Sequence, residues 1–242
     1  MKIEYASLTS DGSRDRNEDA IRIEKKDSCF LFALADGLGS YGNGRIASDT
    51  AVNAAAECFL DSIGSETLPD QMIRAAQEKV LEKQKENSDL RSMSTTLAVL
   101  YLSEEHAQWA HIGDSRIYWF QNGCLKEYTK DHSVPQLLVS LGQIRPDEVR
   151  GHPDQNRLLK VIGREWTENP FSVSSLHPLT GENHFLVCSD GFWEYIDERQ
   201  MEQCLGLSSD PDQWLSRMDD TAIKQAAGMQ RDNYSVICVR AV

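Results

Sequence analysis

The sequence predicts an α+β fold built from antiparallel strands and paired helices. Predicted strands come in runs and predicted helices come in pairs, unlike the regular strand–helix alternation of a doubly wound sheet. The composition, with 40% hydrophobic and 26% charged residues, is that of an ordinary globular protein. A chain of 242 residues is long enough for one large domain or two small ones.

The N-terminal half begins with three strands and continues with two helices. The strands are predicted at residues 2–8, 20–24 and 30–35, and the third is a continuous apolar run typical of a strand buried on both faces. Apolar residues in 44–63 recur with helical spacing, and Pro69 marks the start of a second helix with its own apolar face.

The C-terminal half consists mainly of strands. They are predicted at residues 95–102, 107–112, 116–120, 171–176, 185–188 and 234–239. A late helix is predicted at residues 212–226. Residues 134–163 have mixed polar character without periodicity and contain three prolines, so they are predicted to form a flap laid over the surface.

The chain is strongly acidic, with a formal net charge of −13. Nucleic acid is not expected as a partner, because a phosphate backbone is bound by clustered Lys and Arg side chains. No apolar run reaches the roughly 18 residues of a transmembrane helix, and the N-terminus lacks the apolar core of a signal peptide. We therefore expect a cytoplasmic protein without a membrane partner, whose six cysteines are free thiols.

A glycine-rich loop follows the third predicted strand. Residues 37–42 have the spacing G-x-G-x-x-G, which occurs in dinucleotide-binding folds. Such folds need a second parallel strand ending in an acidic residue about 20 positions after the first glycine, whereas Glu57 at that distance lies within a predicted helix. Asp36 would also face the pyrophosphate, and no G-K-[ST] follows. The sequence therefore disfavours a nucleotide site.

Six carboxylates lie where predicted strands enter or leave the core. They are Glu18, Asp19, Asp36, Asp114, Asp190 and Asp232. If the strands share one sandwich, several of these ends can converge at one edge, where neighbouring carboxylates raise one another's pKa. A bound cation removes the repulsion, and ligation by oxygen alone selects hard ions such as Mg²⁺ or Mn²⁺ over zinc or copper. The alternative is a set of six unrelated turn residues.

Seven motifs occur in order along nearly the whole chain. They are SRDRNEDA, ALADGLGSYGNGRIAS, MSTTLAVL, AHIGDSRIYWF, TKDHS, FLVCSDGFWEYI and RDNYSVICV. Together they resemble the motifs of the metal-dependent type 2C serine/threonine protein phosphatases, particularly the bacterial members. The resemblance implies a single domain over residues 1–242, folded as a four-layer αββα sandwich of two antiparallel sheets flanked by antiparallel helix pairs.

The resemblance also implies the ligands of two Mn²⁺ or Mg²⁺ ions. Asp36, Asp190 and Asp232 would bind the first ion. Glu18, Asp36 and the backbone carbonyl of Gly37 would bind the second, so that Asp36 bridges both ions. Gly37 suits this position because no Cβ shields its carbonyl.

Three further roles follow from the same resemblance. Asp114 resembles the ligand of a third, weaker metal, with Asp190 shared. Asp19 resembles a carboxylate that orients metal-bound water. Arg14 matches the family's phosphate-binding arginine, whose planar fork suits two phosphate oxygens, and Arg16 is the nearby competitor.

The implied reaction is hydrolysis of phosphoserine and phosphothreonine in proteins, with a Ser/Thr kinase expected among the substrates. A hydroxide activated between the two ions attacks phosphorus in line, so no covalent phosphoenzyme is needed. The sequence departs from the family pattern at two places. Leu38 stands where many eukaryotic relatives have a histidine, and Gln230-Arg231 before Asp232 replaces the Gly or Pro that is usual near this aspartate.

Two other functions stay open at this point. A catalytically inactive phosphoprotein-binding module would keep the same fold, although the complete carboxylate set favours an enzyme. The tripeptide Gly113-Asp114-Ser115 is also compatible with a GDSL-type esterase that uses Ser115 as its nucleophile. Such esterases place an aspartate three residues before the catalytic histidine, whereas no histidine of this chain has an aspartate at that position.

Overall fold

Two antiparallel β-sheets form the centre of the structure, a computed structural model that describes residues 1–39, 42–63, 65, 67–166, 168 and 170–242. The strands are β1 (Ile3–Ser10), β2 (Asp19–Lys26), β3 (Cys29–Leu38), β4 (Ser94–Thr95), β5 (Leu97–Leu102), β6 (His106–Ile112), β7 (Arg116–Gln121), β8 (Cys124–Tyr128), β9 (Ser172–Val173), β10 (His177–Pro178), β11 (Asn183–Cys188) and β12 (Tyr234–Ala241). One sheet has five strands in the order β1-β12-β11-β7-β8. The other has seven, in the order β10-β6-β5-β3-β2 with β4 beside β3 and β9 beside β6.

Helices cover the outer face of each sheet. Those in the described residues are α1 (Asn43–Asp61), α2 (Leu68–Glu86), α3 (Val134–Ser140), α4 (Asp190–Trp193), α5 (Glu198–Gly206) and α6 (Pro211–Gln225). Helices α1 and α2 pack on each other and on the seven-stranded sheet, whereas α5 and α6 pack together beside β1 and β12. Across the ranges that the structure describes, no helix combines the length and the apolar character needed to span a membrane.

Three apolar clusters hold the four layers together. Phe32, Leu100 and Phe185 belong to the cluster between the two sheets. A second cluster joins α1 and α2 to the seven-stranded sheet, and a third joins α4, α5 and α6 to the five-stranded sheet. Each large apolar side chain buried in this way contributes roughly 1.5–3 kcal/mol, more than an exposed ion pair does. The αββα fold class that the resemblance implied is confirmed.

Several elements differ from the sequence prediction. The third strand extends through Leu38, three residues beyond its apolar run, and the strand predicted at 171–176 is reduced to Ser172–Val173. Strand β8 and helices α3, α4 and α5 were not predicted. They are short, and tertiary packing rather than a long periodic pattern decides their structure.

Candidate metal centre and active site

One cleft collects the carboxylates that the sequence singled out. It has a volume of about 610 Å³ and lies where the loop before β2, the end of β3, the start of α4 and the start of β12 meet. Its lining contains five of the six predicted carboxylates, namely Glu18, Asp36, Asp114, Asp190 and Asp232. The sixth, Asp19, is buried, and its side chain accepts a hydrogen bond from Ser189, which directly precedes Asp190. Widely separated strand ends therefore do converge at one edge of the sandwich.

Hydrogen bonds fix both the backbone N–H and the backbone carbonyl of Asp36. Its N–H donates to Thr96 Oγ1 at 2.9 Å, and its carbonyl accepts from Thr96 N at 2.9 Å and from Thr95 Oγ1 at 2.8 Å. Strand β3 also continues past Asp36, because Gly37 and Leu38 pair with β4. Asp36 therefore lies within the strand rather than at its tip, which fixes the direction of its carboxylate.

Two glycines allow β3, α1 and Glu18 to approach one another closely. A Cβ on Gly37 would lie 2.2 Å from the carbonyl oxygen of Gly44 and 2.6 Å from that of Glu18. A Cβ on Gly44 would lie 2.6 Å from Glu18 Oε2. Glycine at both positions is therefore a packing requirement of this site. The glycine-rich loop at residues 37–42 includes Ser40 and Tyr41, which lie outside the described residues.

Asn233 fastens the loop that carries Arg14 and Glu18. Its side-chain oxygen accepts from Glu18 N at 2.9 Å, and its Nδ2 donates to the carbonyls of Asp11 and Arg16, each at 2.9 Å. No sequence pattern identified this residue as a part of the site. Its hydrogen-bond partners lie more than 200 residues away in the chain, so that only the folded topology reveals its role.

Arg231 links the segments that carry Asp190 and Asp232. Its guanidinium lies 3.4 Å from the centroid of the Tyr234 ring, and its Nε donates to the carbonyl of Gly191 at 3.0 Å. Asp190 is the first residue of α4 and accepts from Gly191 N at 2.7 Å. The unusual arginine before Asp232 therefore joins the start of α4 to the start of β12.

Burial and mutual repulsion raise the pKa of the carboxyl groups. Loss of solvent and the charge of Asp190 raise the pKa of Asp36 and of Asp114 well above the usual value. Burial, followed by the charge of Asp232, raises the pKa of Asp190 to about 6. Burial raises the pKa of Asp19 to about 7, and Asp19 Oδ1 has no hydrogen-bond partner. Such a cluster needs protons or cations to balance its charge.

Arg14 places a guanidinium in the acidic cleft. Its Nε and Nη2 donate to the two carboxylate oxygens of Asp232 at 2.9 and 2.8 Å. These hydrogen bonds are the main reason that the pKa of Arg14 is raised. Arg16 lines the same cleft. Both predicted candidates for phosphate binding therefore lie near the carboxylates, and Arg14 presents the bidentate geometry that suits an oxyanion.

The side chains that line the cleft are chemically suited to bind a hard divalent cation. The titratable side chains that line the cleft are carboxylates and arginines, with neither histidine nor cysteine among the described ones. Within the part of the chain that is described, no three His, Cys, Asp or Glu side chains are spaced to hold one ion. Both carboxylate oxygens of Asp232 accept hydrogen bonds from Arg14. Oxygen ligands with raised pKa values are nevertheless the type that Mn²⁺ or Mg²⁺ stabilises.

His132 and Ser115 are engaged in structural contacts. His132 Nδ1 accepts from Gly113 N at 3.2 Å, its Nε2 lies 3.0 Å from Ser172 Oγ, and burial lowers its pKa to about 3. Ser115 is fully buried, and its hydroxyl lies 2.7 Å from Thr96 Oγ1. A buried serine of this kind is no accessible nucleophile, so the structure offers no support for a GDSL-type esterase.

The second half of the 134–163 segment is fastened to the body of the protein. Arg150 donates to both carboxylate oxygens of Glu198, at 2.9 and 3.1 Å. Gln155 donates to Glu194 at 2.5 Å, and Leu158 forms a bridge to Ser133 and lines the cleft. Glu194, which no sequence pattern indicated, has a pKa raised to about 8 by burial and by the charge of Asp190.

Known proteins resemble this chain over nearly its full length. Residues 10–227 match the family model described as Protein phosphatase 2C. The serine/threonine phosphatase stp of Listeria monocytogenes is 29% identical over 246 aligned positions, which cover 97% of this chain and 95% of that protein. The crystal structure of the Mycobacterium tuberculosis serine/threonine phosphatase PstP/Ppp has a TM-score of 0.85 at 26% identity, covering 98% of this chain and 97% of that one. A structure of the PstP catalytic domain in complex with two manganese ions has a TM-score of 0.82, with the same identity and coverage.

Proposed function

The chain belongs to the protein phosphatase 2C family, and we propose that the acidic cleft carries out its reaction, the metal-dependent hydrolysis of phosphoserine and phosphothreonine in proteins. The observation that carries this assignment is that five of the predicted carboxylates and both predicted arginines line one cleft. Carboxylate oxygens suit hard divalent cations, and a guanidinium suits a phosphate dianion. Two Mn²⁺ or Mg²⁺ ions are the cofactors of this enzyme.

We assign the first ion to Asp36, Asp190 and Asp232, and the second to Glu18, Asp36 and the carbonyl of Gly37. The raised pKa of Asp36 supports this assignment, because its carboxylate is the group whose charge most needs a neighbouring cation. The tight packing of Gly37 against Glu18 supports the second set.

Asp114, with Asp190, is the proposed ligand pair of a third ion. The repulsion between these two carboxylates is part of the reason that the pKa of Asp114 is raised. This third position is expected to be the weakest, because Asp190 already serves the first ion.

The ions supply the nucleophile: when bound, they lower the pKa of water, so that hydroxide is available near neutral pH. The protein orients the reactants. Asp19 is proposed to orient the attacking water, since Ser189 Oγ fixes Asp19 Oδ2 at 2.8 Å while Oδ1 is left without a partner. Positioning and neutralisation of charge then account for most of the acceleration, as is usual in phosphoryl transfer.

Arg14 is the proposed phosphate-docking residue. Its guanidinium is already held in a bidentate pair with Asp232, at 2.9 and 2.8 Å. Two phosphate oxygens can replace the two carboxylate oxygens without changing the direction of the fork. The same exchange makes the Asp232 carboxylate available to a cation. Arg16 is the alternative residue for this role.

Leu38 leaves the cleft without a side-chain acid at the position where relatives carry histidine. None of the described residues that line the cleft is a histidine. The low pKa of His132 keeps that side chain neutral at neutral pH. We therefore propose that water protonates the leaving serine or threonine alkoxide.

The protein is proposed to be one domain with a substrate-selecting flap at residues 134–163. Phosphorylated proteins are its substrates, and we propose a Ser/Thr kinase among them, in a bacterial signalling pathway. A cytoplasmic location agrees with six cysteines that are all free thiols. The net charge of −13 disfavours nucleic acid as a partner, and no membrane partner is proposed.

A phosphopeptide assay with Mn²⁺ and with chelator tests the function. The enzyme should release phosphate from phosphoserine and phosphothreonine peptides with Mn²⁺ and should lose that activity with chelator. The alternative, an inactive binding module, predicts phosphopeptide binding without turnover under both conditions. The Asp190→Asn variant is the control for contaminating phosphatases, because it should bind peptide but hydrolyse it far more slowly.

A further inference from the structure

A second depression opens directly beside the catalytic cleft. It has a volume of about 350 Å³ and shares Leu38, Asn156 and Leu158 with the cleft. We name it the side groove and define it by Leu159, Lys160, Arg164, Glu165 and Trp166, which line it beyond the shared wall. Because the two depressions share a wall, a chain bound in the cleft can continue into the groove.

The floor of the side groove is held by helix α2. Gln77 Nε2 donates to the carbonyl of Arg164 at 2.7 Å, and Gly163 N donates to Gln77 Oε1 at 2.8 Å. Gln84 Nε2 donates to the carbonyl of Gly163 at 2.8 Å. Gly163 has φ 86°, and a Cβ there would lie 2.6 Å from the carbonyl oxygen of Met93. The loop is therefore organised before any ligand arrives.

The groove offers apolar contact together with cationic side chains. Leu159 is 52% exposed. Trp166 is half-buried, and its Nε1 donates to the carbonyl of Val161 at 3.2 Å, which fixes the ring as part of the wall. Among the described residues that line the groove there are two cations, Lys160 and Arg164, and one carboxylate, Glu165. A lining with excess positive charge is unusual in a chain whose net charge is −13.

We propose that the side groove binds the polypeptide flanking the phosphorylated residue and selects substrates with acidic residues there. This inference rests on the proposed function. A phosphoserine held in the cleft has a main chain that must leave it, and an extended chain advances about 3.3 Å per residue, so the next two or three residues reach the neighbouring depression. Arg164, whose side chain is exposed and whose backbone is fixed by Gln77, is the main determinant of the charge preference.

Two phosphoserine peptides that differ only in their flanks test the proposal. One carries glutamates in the three positions on each side of the phosphoserine, and the other carries glutamines. With Mn²⁺, kcat/KM for the wild type should favour the acidic peptide about threefold to tenfold, as expected for a few partly exposed charge pairs. Arg164→Glu should abolish or reverse that ratio, and the ratio should fall as salt is added.

Two control variants and one small substrate distinguish a charge preference of the groove from a general change in activity. Arg217→Glu makes the same charge change on the exposed face of α6, in the opposite outer layer, and should leave the peptide ratio unchanged. Leu159→Ser should lower kcat/KM for both peptides alike. Hydrolysis of a small aryl phosphate should stay within about twofold of wild type in every variant, because such a substrate does not reach the groove.

The outcomes separate the two proposals. If the wild type hydrolyses the aryl phosphate and both peptides at similar rates, and Arg164→Glu changes nothing, the side groove is not a substrate subsite although the proposed function stands. If the groove instead binds a second copy of the chain, analytical ultracentrifugation will show that the wild type self-associates as its concentration rises, whereas Arg164→Glu does not. In that case kcat/KM of the wild type will be the same for the two peptides. That result also overturns the inference. Failure of Mn²⁺-dependent hydrolysis on all three substrates contradicts the proposed function itself.

Discussion

Single residues in the cleft carry opposite charges that compensate one another. Arg14 balances Asp232, whereas the pKa of Asp36 and of Asp190 is raised by burial and by neighbouring carboxylates. The hydrogen bonds of Arg14 and the protonation of Asp36 and Asp190 should therefore change when a cation or a phosphate binds in the cleft.

Arg14→Ala should mainly raise KM for a phosphopeptide, because the guanidinium docks the phosphate and does not supply the nucleophile. An increase of about tenfold or more is expected from the loss of two charge-assisted hydrogen bonds. Steady-state kinetics of Arg14→Ala and Arg16→Ala, measured side by side, check this. Arg16→Ala is the matched control and should have a small effect. A larger defect in Arg16→Ala would mean that Arg16 docks the phosphate.

Because Leu38 cannot donate a proton, the rate of hydrolysis should depend on the pKa of the leaving group. Without a side-chain acid nearby, the rate should fall steeply as the leaving-group pKa rises. The profile of kcat against pH should also lack a falling limb near 6.5, since His132, with a pKa of about 3, is not protonated in that range.

Leu38→His should add the missing acid. This variant should accelerate hydrolysis of a phosphoserine peptide more than that of an aryl phosphate, because phenoxide leaves without assistance. Leu38→Gln is the control for polarity without acidity. If the wild type already shows leaving-group independence and a histidine-like limb, another residue supplies the proton, and His132→Gln would be the first variant to examine.

At the level of elements, sequence patterns predicted the long strands and helices, and packing decided the rest. The apolar run before Asp36 is visible in the sequence, but the extension of β3 through Leu38 depends on pairing with β4, which comes more than fifty residues later. Helix α5 has a local signal, a capping box between Asp197 and Gln200, that could have revealed it.

The sequence motifs predicted which residues line the candidate site, but not the contacts that hold those residues in place. Strand ends indicated the carboxylates, but no local pattern shows that Asn233 would tie the 11–18 loop to β12 or that Glu194 would face Gln155. Those contacts join residues far apart in the chain. They depend on the folded topology, which sequence periodicity does not specify.

The predicted flap spans residues 134–163, and its first half is the more exposed part. Arg150 and Gln155 anchor its second half, whereas Leu137 in helix α3 and Leu141 directly after the helix are exposed. Replacing residues 136–148 with those of a relative, while keeping Arg150 and Gln155, should change kcat/KM for protein substrates several-fold. The rate with a small aryl phosphate should stay within about twofold of wild type. Equal changes with both substrate classes would count against a selective role.

For the molecule as a whole, the buried carboxylates couple stability to pH and to metal. In chelator-treated protein the folded-state pKa is about 6 for Asp190 and about 7 for Asp19, both above the unfolded value of 3.8. Between the two pKa values of each group the folded state binds more protons than the unfolded state. This contribution to stability is therefore fully present below pH 3.8 and is lost as pH rises from there through about 6 for Asp190 and about 7 for Asp19.

Melting temperatures with chelator should therefore fall from pH 5.5 to pH 8 more steeply for wild type than for Asp190→Asn. The asparagine has no charge to develop, so its variant serves as the matched control. Mn²⁺ should stabilise the wild type most at the higher pH, because the cation replaces the lost protons. Identical slopes for the two proteins would show that Asp190 does not carry a raised pKa in the folded state.

Calorimetric titration of the chelator-stripped protein with Mn²⁺, for wild type and Asp36→Asn, tests the central claim that one carboxylate joins two ions. The wild type should bind at least two ions per chain. Asp36→Asn should keep its fold by circular dichroism, lose both strong binding events and lower kcat by at least about two orders of magnitude, because a neutral amide cannot balance two cations. Two undiminished Mn²⁺ sites in Asp36→Asn, with near-normal turnover, would contradict the two-ion cleft.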